Sequence, residues 1–321
     1  MRQLLNRRGI AAAVVVVLSG SAGIAAPTIN GSLDAEYGTP IVVQNNPTDF
    51  GDSTSGAVNM ANGSELDAAY GIVTGGNLDL FFAGNVRTDG SHLDVFINSG
   101  GAGGENTLQP LADDHINFNR MAAAGSQAGL TFDGAFDAQY FLSAAPTNFG
   151  SPIVQFDYAN LFTGANGLVG TETNFTNGTL TAPDPGLPTI EGAIDDSNIL
   201  GVTDLTAPNN AASVSTGVEF SIPLSAIGNP TGAINICAFV ASDDQGSVSN
   251  QVAGDLPDDT TVLGETRNVN FANFAGNQYF TVGSGGGGTP IPLPASARFG
   301  LAGLAAVITF RSATMRRIAC R

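Results

Sequence analysis

The chain has 321 residues, of which 28 are acidic and 11 basic, so its formal net charge is −17. Every basic residue is an arginine, and all but Arg87, Arg120 and Arg267 stand in the first eight or the last 24 positions. The region between carries all of the acidic residues and has almost nothing to neutralise phosphate, which excludes nucleic acid and an anionic lipid surface as its partners.

Residues 1–26 predict an export signal in the form of a short apolar helix. Arg7 and Arg8 precede the apolar run Ile10–Leu18, and small residues fill Ser19–Ala26. A charged start, a short apolar centre and a small-residue cleavage zone are typical of a secretory signal peptide. The apolar run is too short to span a bilayer, which takes about 20 apolar residues. The alternative is an amphipathic or buried helix.

The body, residues 27–282, is predicted to be all-β. Short runs rich in Val, Ile, Phe and Tyr lie between clusters of Gly, Asn, Asp, Thr and Ser; these runs are "IVVQ", "NLDLFFAGNV", "HLDVFINS", "AQYFLSA", "IVQFDYANLF", "TGVEFSIPL", "INICAFVA" and "NQYFTV". Several alternate apolar with polar residues, as where Leu78 and Leu80 flank Asp79, which predicts antiparallel sheets with one face in water. Regularly spaced short strands favour an antiparallel, jelly-roll-like β-sandwich.

Three segments of the body stand apart from this pattern. "SIPLSAIG" predicts a strand that passes into a short helical turn, with Pro223 restricting it to an edge or an end. Residues 164–210 are dense in Thr, Asn and Pro and predict a loop-rich insertion or a peripheral hairpin. The stretches 31–38 and 64–71 echo each other ("GSLDAEYG" and "SELDAAYG"), which the biased composition explains as well as a repeat does.

Two cysteines and two histidines limit the chemistry of the chain. Cys237 lies in an apolar run and Cys320 near the C-terminus, so no disulfide pair exists once the C-terminal segment is removed. His92 sits in a strand-like alternation and His115 follows an acidic pair, and both are predicted to be exposed. Neither has a recognisable nucleophile context, and the histidines and cysteine are too few for a zinc or copper site. No catalytic residue is therefore assigned.

Aspartates clustered in turns make calcium the more physical metal hypothesis, because Ca²⁺ takes hard oxygen ligands from flexible loops. Asp243 and Asp244 directly follow the strand-like run "CAFVA" and are the first choice, with Asp195 and Asp196 as a further pair. Other loops of this kind hold Asp113, Asp114, Asn117, Asn198, Asp255, Asp258 and Asp259. None matches an EF-hand loop, and the alternative is that they are solvated turn residues.

The C-terminal segment combines a Gly-rich linker (283–290), the motif Ile291-Pro292-Leu293-Pro294-Ala295, an apolar stretch (Phe299–Phe310) and closing arginines. This order resembles the PEP-CTERM bacterial sorting signals, in the variant that carries V-P-L-P-A. The resemblance implies export, transient inner-membrane association through 299–310, processing by an exosortase-type transpeptidase, and release to the envelope or extracellular matrix. Arg298 departs from the family pattern, which is usually apolar there. A peripheral C-terminal helix is the alternative reading of residues 291–321.

The body also resembles family 9 carbohydrate-binding modules and related DOMON-like sandwiches. The segments that carry the likeness are "TINGSLDAEYG", "GNLDLFFAGNV" and "HLDVFINSGG", with Asn30-Gly31 in place of the Asp-Gly of the family's opening strand and Leu33-Asp34 in place of its Leu-Asp. "TGVEFSIPLSAIGNPTG", "SNQVAGDLP" and "VNFANFAGNQYFTV" are similar to blocks of exported bacterial proteins with the same sorting tail and no assigned activity. Family 9 modules hold sugars between aromatic faces, with tryptophan prominent. This chain has no Trp, so the available residues are Tyr37, Tyr70, Tyr140, Tyr158 and Tyr279.

These observations predict an exported, acidic, non-catalytic protein of the cell envelope or extracellular matrix with a structural or adhesive role. The alternative is a carbohydrate-binding module for a polysaccharide, which two or three exposed Tyr or Phe side chains along a groove would support. A glycoside-active enzyme is the third possibility. It would need convergent carboxylates with perturbed pKa values in a cleft.

Overall fold

The computed structural model describes residues 25–147, 153–173, 178–202 and 210–283. The predicted signal segment, apart from its last two residues, and the predicted linker and sorting segment beyond residue 283 lie outside these ranges. Within them the chain is mostly β, and its helices are single 3₁₀ turns of three or four residues. No helix in the described part of the chain is long and apolar enough to cross a membrane.

The described residues form strands of two to ten residues. In chain order they are β1 (Val42–Val43), β2 (Glu65–Thr74), β3 (Asn77–Asn85), β4 (His92–Asn98), β5 (Tyr140–Thr147), β6 (Ile153–Asn160), β7 (Asn166–Glu172), β8 (Glu191–Ile194), β9 (Gly217–Pro223), β10 (Ile234–Ala241), β11 (Ser247–Val252), β12 (Gly264–Glu265) and β13 (Phe280–Val282).

Two antiparallel sheets result. The small sheet has the order β1-β2-β3-β9-β8. The large sheet has the order β12-β11-β10-β4-β5-β6-β7, and β13 pairs with the start of β10, where Ile234 lies opposite Val282. All strand pairs are antiparallel, which confirms the predicted type of sheet.

The two sheets share a central core. Phe82 of β3 in the small sheet meets Phe280 of β13 in the large sheet, with ring centroids 6.2 Å apart. Phe156 of β6 similarly meets Phe220 of β9 at 5.6 Å, edge to face. Such contacts between aromatic rings stabilise a core beyond the area they bury. The described body is therefore a sandwich-like all-β fold, as the strand pattern predicts.

The expectation that one face of each sheet lies in water is wrong. The outer face of the large sheet carries a second core, in which Phe96 of β4 packs against Phe118 and Phe132 from the connection between β4 and β5. A smaller outer core around Tyr70 and Phe81 covers the small sheet. The physical reason is that long connections bring apolar side chains of their own, so polar residues that alternate along the strands become buried beneath them.

The strand pattern identified most of the elements but missed some. β2, the longest strand, begins inside the stretch 64–71 that echoes 31–38, and its first half, with Glu65, Asp67 and two alanines, has little β propensity. β11 was also missed. Residues 164–210 contain β7 and β8, each of which lies at one edge of a sheet. "SIPLSAIG" is confirmed as the end of β9 followed by a 3₁₀ turn over Leu224–Ile227.

Candidate functional site

The outstanding chemical feature of the body is a set of buried carboxyl groups. Burial is the main reason why their pKa values are raised, since a charged carboxylate loses its hydration there. They are Glu65, Asp67, Asp79, Asp94, Asp133, Asp157, Asp196 and Glu219. Two of them lie side by side on one strand at a pocket.

A β-bulge brings these two together. The β2–β3 register shifts between Leu66 and Ala68, so Asp67 is the extra residue of the bulge. Leu66 packs in the central core and Ala68 in the outer core of the small sheet. The carboxyl groups of Glu65 and Asp67 belong to neither of these cores. Bulges redirect side chains and are common next to functional sites.

A single amide links the two carboxyl groups. Asn198 Nδ2 donates to Glu65 Oε1 at 2.7 Å and to Asp67 Oδ2 at 3.2 Å. Asn85 Nδ2 donates to Glu65 Oε1 at 3.2 Å, and the backbone N–H of Val202 donates to Asp67 Oδ1 at 2.8 Å. The segment after β8 thus folds over β2 and encloses both side chains.

Glu65 faces a pocket of about 240 Å³ that is lined by Asp52, Ser53, Thr54, Glu65 and Ile199. We call this pocket, with Asp67 behind it, the acidic pocket. Burial, and then the neighbouring Asp67 and Asp52, raise the pKa of Glu65 to about 9, while the hydrogen bond from Asn198 opposes the rise. Burial likewise raises the pKa of Asp67 to about 7. Burial therefore favours the protonated form of this pair of carboxyl groups relative to exposed ones.

Glu219 has a different role, because it anchors the N-terminal motif. Its Oε2 accepts the backbone N–H groups of Asn30 (2.8 Å) and Gly31 (3.0 Å), and its Oε1 accepts the Tyr37 hydroxyl at 2.8 Å. Gly31 has a φ of +76°, and a Cβ there would lie 2.6 Å from the Asp195 nitrogen. "TINGSLDAEYG" therefore docks on the outer face of the small sheet through backbone N–H groups and the Tyr37 side chain.

We expect Tyr37→Phe to destabilise the body, with the larger effect at high pH. Burial raises the pKa of Glu219 to about 7, so the hydroxyl stabilises an ionised partner at about pH 8 and a neutral one at about pH 5. The loss should be about 2 kcal/mol at the higher pH and about 1 kcal/mol at the lower. Urea denaturation at both pH values measures it. Tyr158→Phe is the matched control, because its hydroxyl donates to the Ala226 carbonyl, which does not titrate.

His92 and His115 differ from each other in their surroundings. His115 is exposed, and its Nε2 lies 3.2 Å from Asp113. His92, predicted to be exposed, is half-buried, and its Nδ1 lies 2.9 Å from Ser143 Oγ. Burial lowers the pKa of His92 to about 4. Ser143 stands opposite Asp94 on the neighbouring strand, so the serine lies between histidine and aspartate, unlike a hydrolase triad in which histidine is the central member.

The first calcium candidate is engaged in local contacts. Asp244 accepts hydrogen bonds from Ser242 Oγ and from the Gly246 N–H, both at 2.8 Å, and lies 3.7 Å from Arg120 Nε. The Ser242 hydrogen bond is the largest cause of its lowered pKa. Asp243 is exposed. The inward residue of this turn is Gln245, whose Nε2 donates to the buried Asp94 at 3.2 Å.

The other predicted calcium ligands also lie apart. Asp195 accepts the N–H of Ser197 at 2.9 Å, and the buried Asp196 accepts that of Val86 at 3.0 Å. Asp114 accepts three backbone N–H groups of its own loop. In the described ranges, no group of three or more His, Cys, Asp or Glu side chains is placed to hold a metal ion. The calcium hypothesis at these loops thus gains no assembled ligand set.

The aromatic residues are mostly used in packing. Tyr37, Tyr70, Tyr140 and Tyr158 are buried, and Tyr279 packs on Phe136 with ring centroids 5.5 Å apart. The large aromatic side chain with the greatest exposure among the described residues is Phe162, at 48%. In the described part of the body, this single exposed ring falls short of the two or three along a groove that would support a carbohydrate-binding module.

Sequence reasoning missed the acidic pocket. The strongest local signal is "SELD" in 64–67, which belongs to the stretch that echoes 31–38. Asp52, Asn85 and Asn198 come from three other parts of the chain, and no sequence pattern joins them. No protein-family model, no curated protein and no solved structure matches this chain.

Proposed function

We propose that this chain is an exported, acidic, non-catalytic component of the cell envelope or extracellular matrix, with a structural or adhesive role. Its body is a jelly-roll-like β-sandwich between an N-terminal signal helix and a C-terminal sorting segment. An exosortase-type enzyme cuts that segment after transient inner-membrane association through 299–310, and extracellular polysaccharide is the proposed partner of the released body.

The single observation that carries the proposal is the distribution of charge and segments along the chain. All but three of the arginines stand in the two ends, and all acidic residues lie in the body between them. A Gly-rich linker, the motif Ile291–Ala295, an apolar stretch and arginines follow the body in the order of a sorting signal. A strongly acidic body favours solubility and repulsion from anionic membranes after release.

Intact-mass spectrometry of the protein from its native host tests this proposal, with cell-associated and released fractions kept apart. We expect the released form to lack the residues beyond the motif. Pro294→Ala, within the motif, should keep the tail and remain cell-associated. Pro290→Ala, one residue before the motif, is the matched control and should be processed normally. A released wild-type protein with an intact tail would overturn the proposal.

A further inference from the structure

Four polar side chains meet on the outer face of the large sheet, beneath the turn that joins β10 to β11. They belong to His92 and Asp94 of β4, Ser143 of β5 and Gln245 of the turn. Asp94, Ser143 and Gln245 have no exposed surface. The four side chains therefore combine a hydroxyl, an imidazole, a carboxyl and a primary amide in a place from which water is excluded.

The backbone of the turn holds Gln245 inward. Its φ of +55° lies in the left-handed region, which is uncommon for a side chain of this kind. The Gln245 N–H donates to the Ser242 carbonyl at 2.8 Å, and the Gln245 carbonyl accepts the Thr266 hydroxyl at 2.7 Å. Conformations of this kind persist where the surrounding structure fixes them, and they are frequent at functional sites. The side-chain amide is thus fixed against β4.

One nitrogen of His92 contacts both a nucleophile and a leaving group. Nδ1 lies 2.9 Å from Ser143 Oγ and 3.5 Å from Gln245 Nε2. Burial lowers the pKa of His92 to about 4, while a hydrogen bond to the Asp243 backbone opposes the fall, so the imidazole is neutral at pH 7. A neutral imidazole in this position can take the proton of a hydroxyl and then give it to a departing amine.

Asp94 can polarise the same amide. Gln245 Nε2 donates to Asp94 Oδ1 at 3.2 Å. The second oxygen of each group, Asp94 Oδ2 and Gln245 Oε1, is buried and has no hydrogen-bond partner among the described residues. Burial raises the pKa of Asp94 to about 7, which favours a proton on this carboxyl group. A proton on Oδ2 provides an O–H donor for Oε1, where it stabilises negative charge that develops on the amide oxygen.

We infer that Ser143 and Gln245 form an intramolecular ester bond once the chain has folded. Ser143 Oγ attacks the side-chain carbonyl carbon of Gln245 while His92 Nδ1 takes the hydroxyl proton, and the electron pair of the C=O bond moves to Oε1. When this pair returns, the bond between Cδ and Nε2 breaks, and the proton on His92 leaves with the amine as ammonia. One hydroxyl and one primary amide thus become one ester and one ammonia, without a co-reactant.

The bond gives the body a covalent link between distant segments. It joins β5 to the turn between β10 and β11, across the intervening β4. Cys237 is the only cysteine of the described body, so a disulfide within that part of the chain cannot supply such a link. A cross-link stabilises a fold mainly because it restricts the unfolded chain. The reaction occurs once in each molecule, so it agrees with a non-catalytic structural role, and it is independent of whether the C-terminal segment is processed.

Intact-mass spectrometry of the purified full secreted chain tests the bond. We expect the wild type to be lighter than its sequence by one ammonia, and digestion with pepsin to leave the peptides around Ser143 and Gln245 joined. Mild alkali should separate these peptides and leave a carboxylate at position 245. Ser143→Ala and His92→Phe should keep the full sequence mass and give separate peptides. Gln245→Glu, which preserves the shape of the side chain but has no ammonia to release, should do the same.

Ser221→Ala is the matched control. The Ser221 hydroxyl donates to the buried Asp79 at 2.6 Å and accepts from the Asn77 amide at 3.0 Å. This serine therefore also lies between a carboxyl group and an amide, but none of its contacts in the described chain is with an imidazole. The control variant should lose one ammonia as the wild type does.

Three outcomes would overturn the inference. A wild-type chain at its full sequence mass excludes the ester. An ammonia loss that persists in Ser143→Ala shows that the ammonia comes from another amide of the chain. Joined peptides in His92→Phe in the same yield as in the wild type would remove the imidazole from the reaction.

Discussion

The body should lose at least about 3 kcal/mol of unfolding free energy between about pH 5 and about pH 8. Burial raises the pKa of Asp94, Asp157 and Glu219 to about 7 each, and that of Asp79 to about 6. Hydrogen bonds from Ser143 and Gln245 to Asp94, and from Ser221 to Asp79, oppose the rise without cancelling it.

The direction follows from proton binding. In the unfolded chain these carboxyl groups titrate near pH 4, whereas in the folded body they keep their protons up to pH 6 or 7. The folded state therefore binds more protons in this interval. The stability contributed by these groups is fully present below about pH 4 and is lost as pH rises through 6 and 7. His92 acts in the opposite direction, because burial lowers its pKa to about 4. The four carboxyl groups together outweigh the contribution of this single histidine to the pH dependence.

Urea denaturation at intervals of pH, in buffer with EDTA, measures this dependence. Asp94→Asn removes one of the titrating groups, so it should reduce the slope by up to about 1.4 kcal/mol per pH unit between pH 5 and 7. Asp243→Asn, an exposed aspartate, should leave the slope unchanged. Greater stability at about pH 8 than at about pH 5 in the wild type would contradict the prediction.

The same aspartates show how far the sequence predicts the fold. Leu93 and Val95 on either side of Asp94 correctly predicted a strand whose apolar face lies in the central core. The alternation also correctly placed Asp94 on the opposite face. It could not show that this face is covered, because the covering residues Phe118 and Phe132 belong to a connection with no regular pattern. Periodicity reports which face a residue occupies, whereas burial depends on contacts between distant segments.

The acidic pocket was beyond sequence reasoning for a related reason. Strict alternation would put Leu66 and Ala68 on one face of β2, and only the bulge at Asp67 separates them. A bulge depends on pairing with β3, so it leaves no periodic signal in β2 itself. The turn residues that predict hairpins do not help either, since Asn198 reaches β2 across more than a hundred residues.

A glycine next to this pocket carries the second large prediction. Gly201 has a φ of +129°, and a Cβ built on it would lie 1.9 Å from Asp67 Oδ1. Gly201→Ala therefore forces either the segment or the Asp67 carboxyl group to move, and either movement breaks the hydrogen bonds from Asn198 and Val202 to Asp67. We expect a loss of at least about 3 kcal/mol of unfolding free energy, measured by urea denaturation.

Two comparisons show whether the stability loss in Gly201→Ala comes from the collision with Asp67 or from backbone strain. Gly186 also has a positive φ, of +85°, but a Cβ there meets nothing within 4 Å, so Gly186→Ala should cost only about 1–2 kcal/mol. Asp67→Ala removes the carboxyl atoms with which the new Cβ collides. In that background Gly201→Ala should cost no more than Gly186→Ala does, so the double-mutant cycle should show strong coupling. Equal costs of Gly201→Ala with and without the Asp67 carboxyl group would mean that the close approach does not hold the segment over β2. In that case the enclosure of Glu65 and Asp67 would depend on the hydrogen bonds that Asn198 and Val202 donate to them.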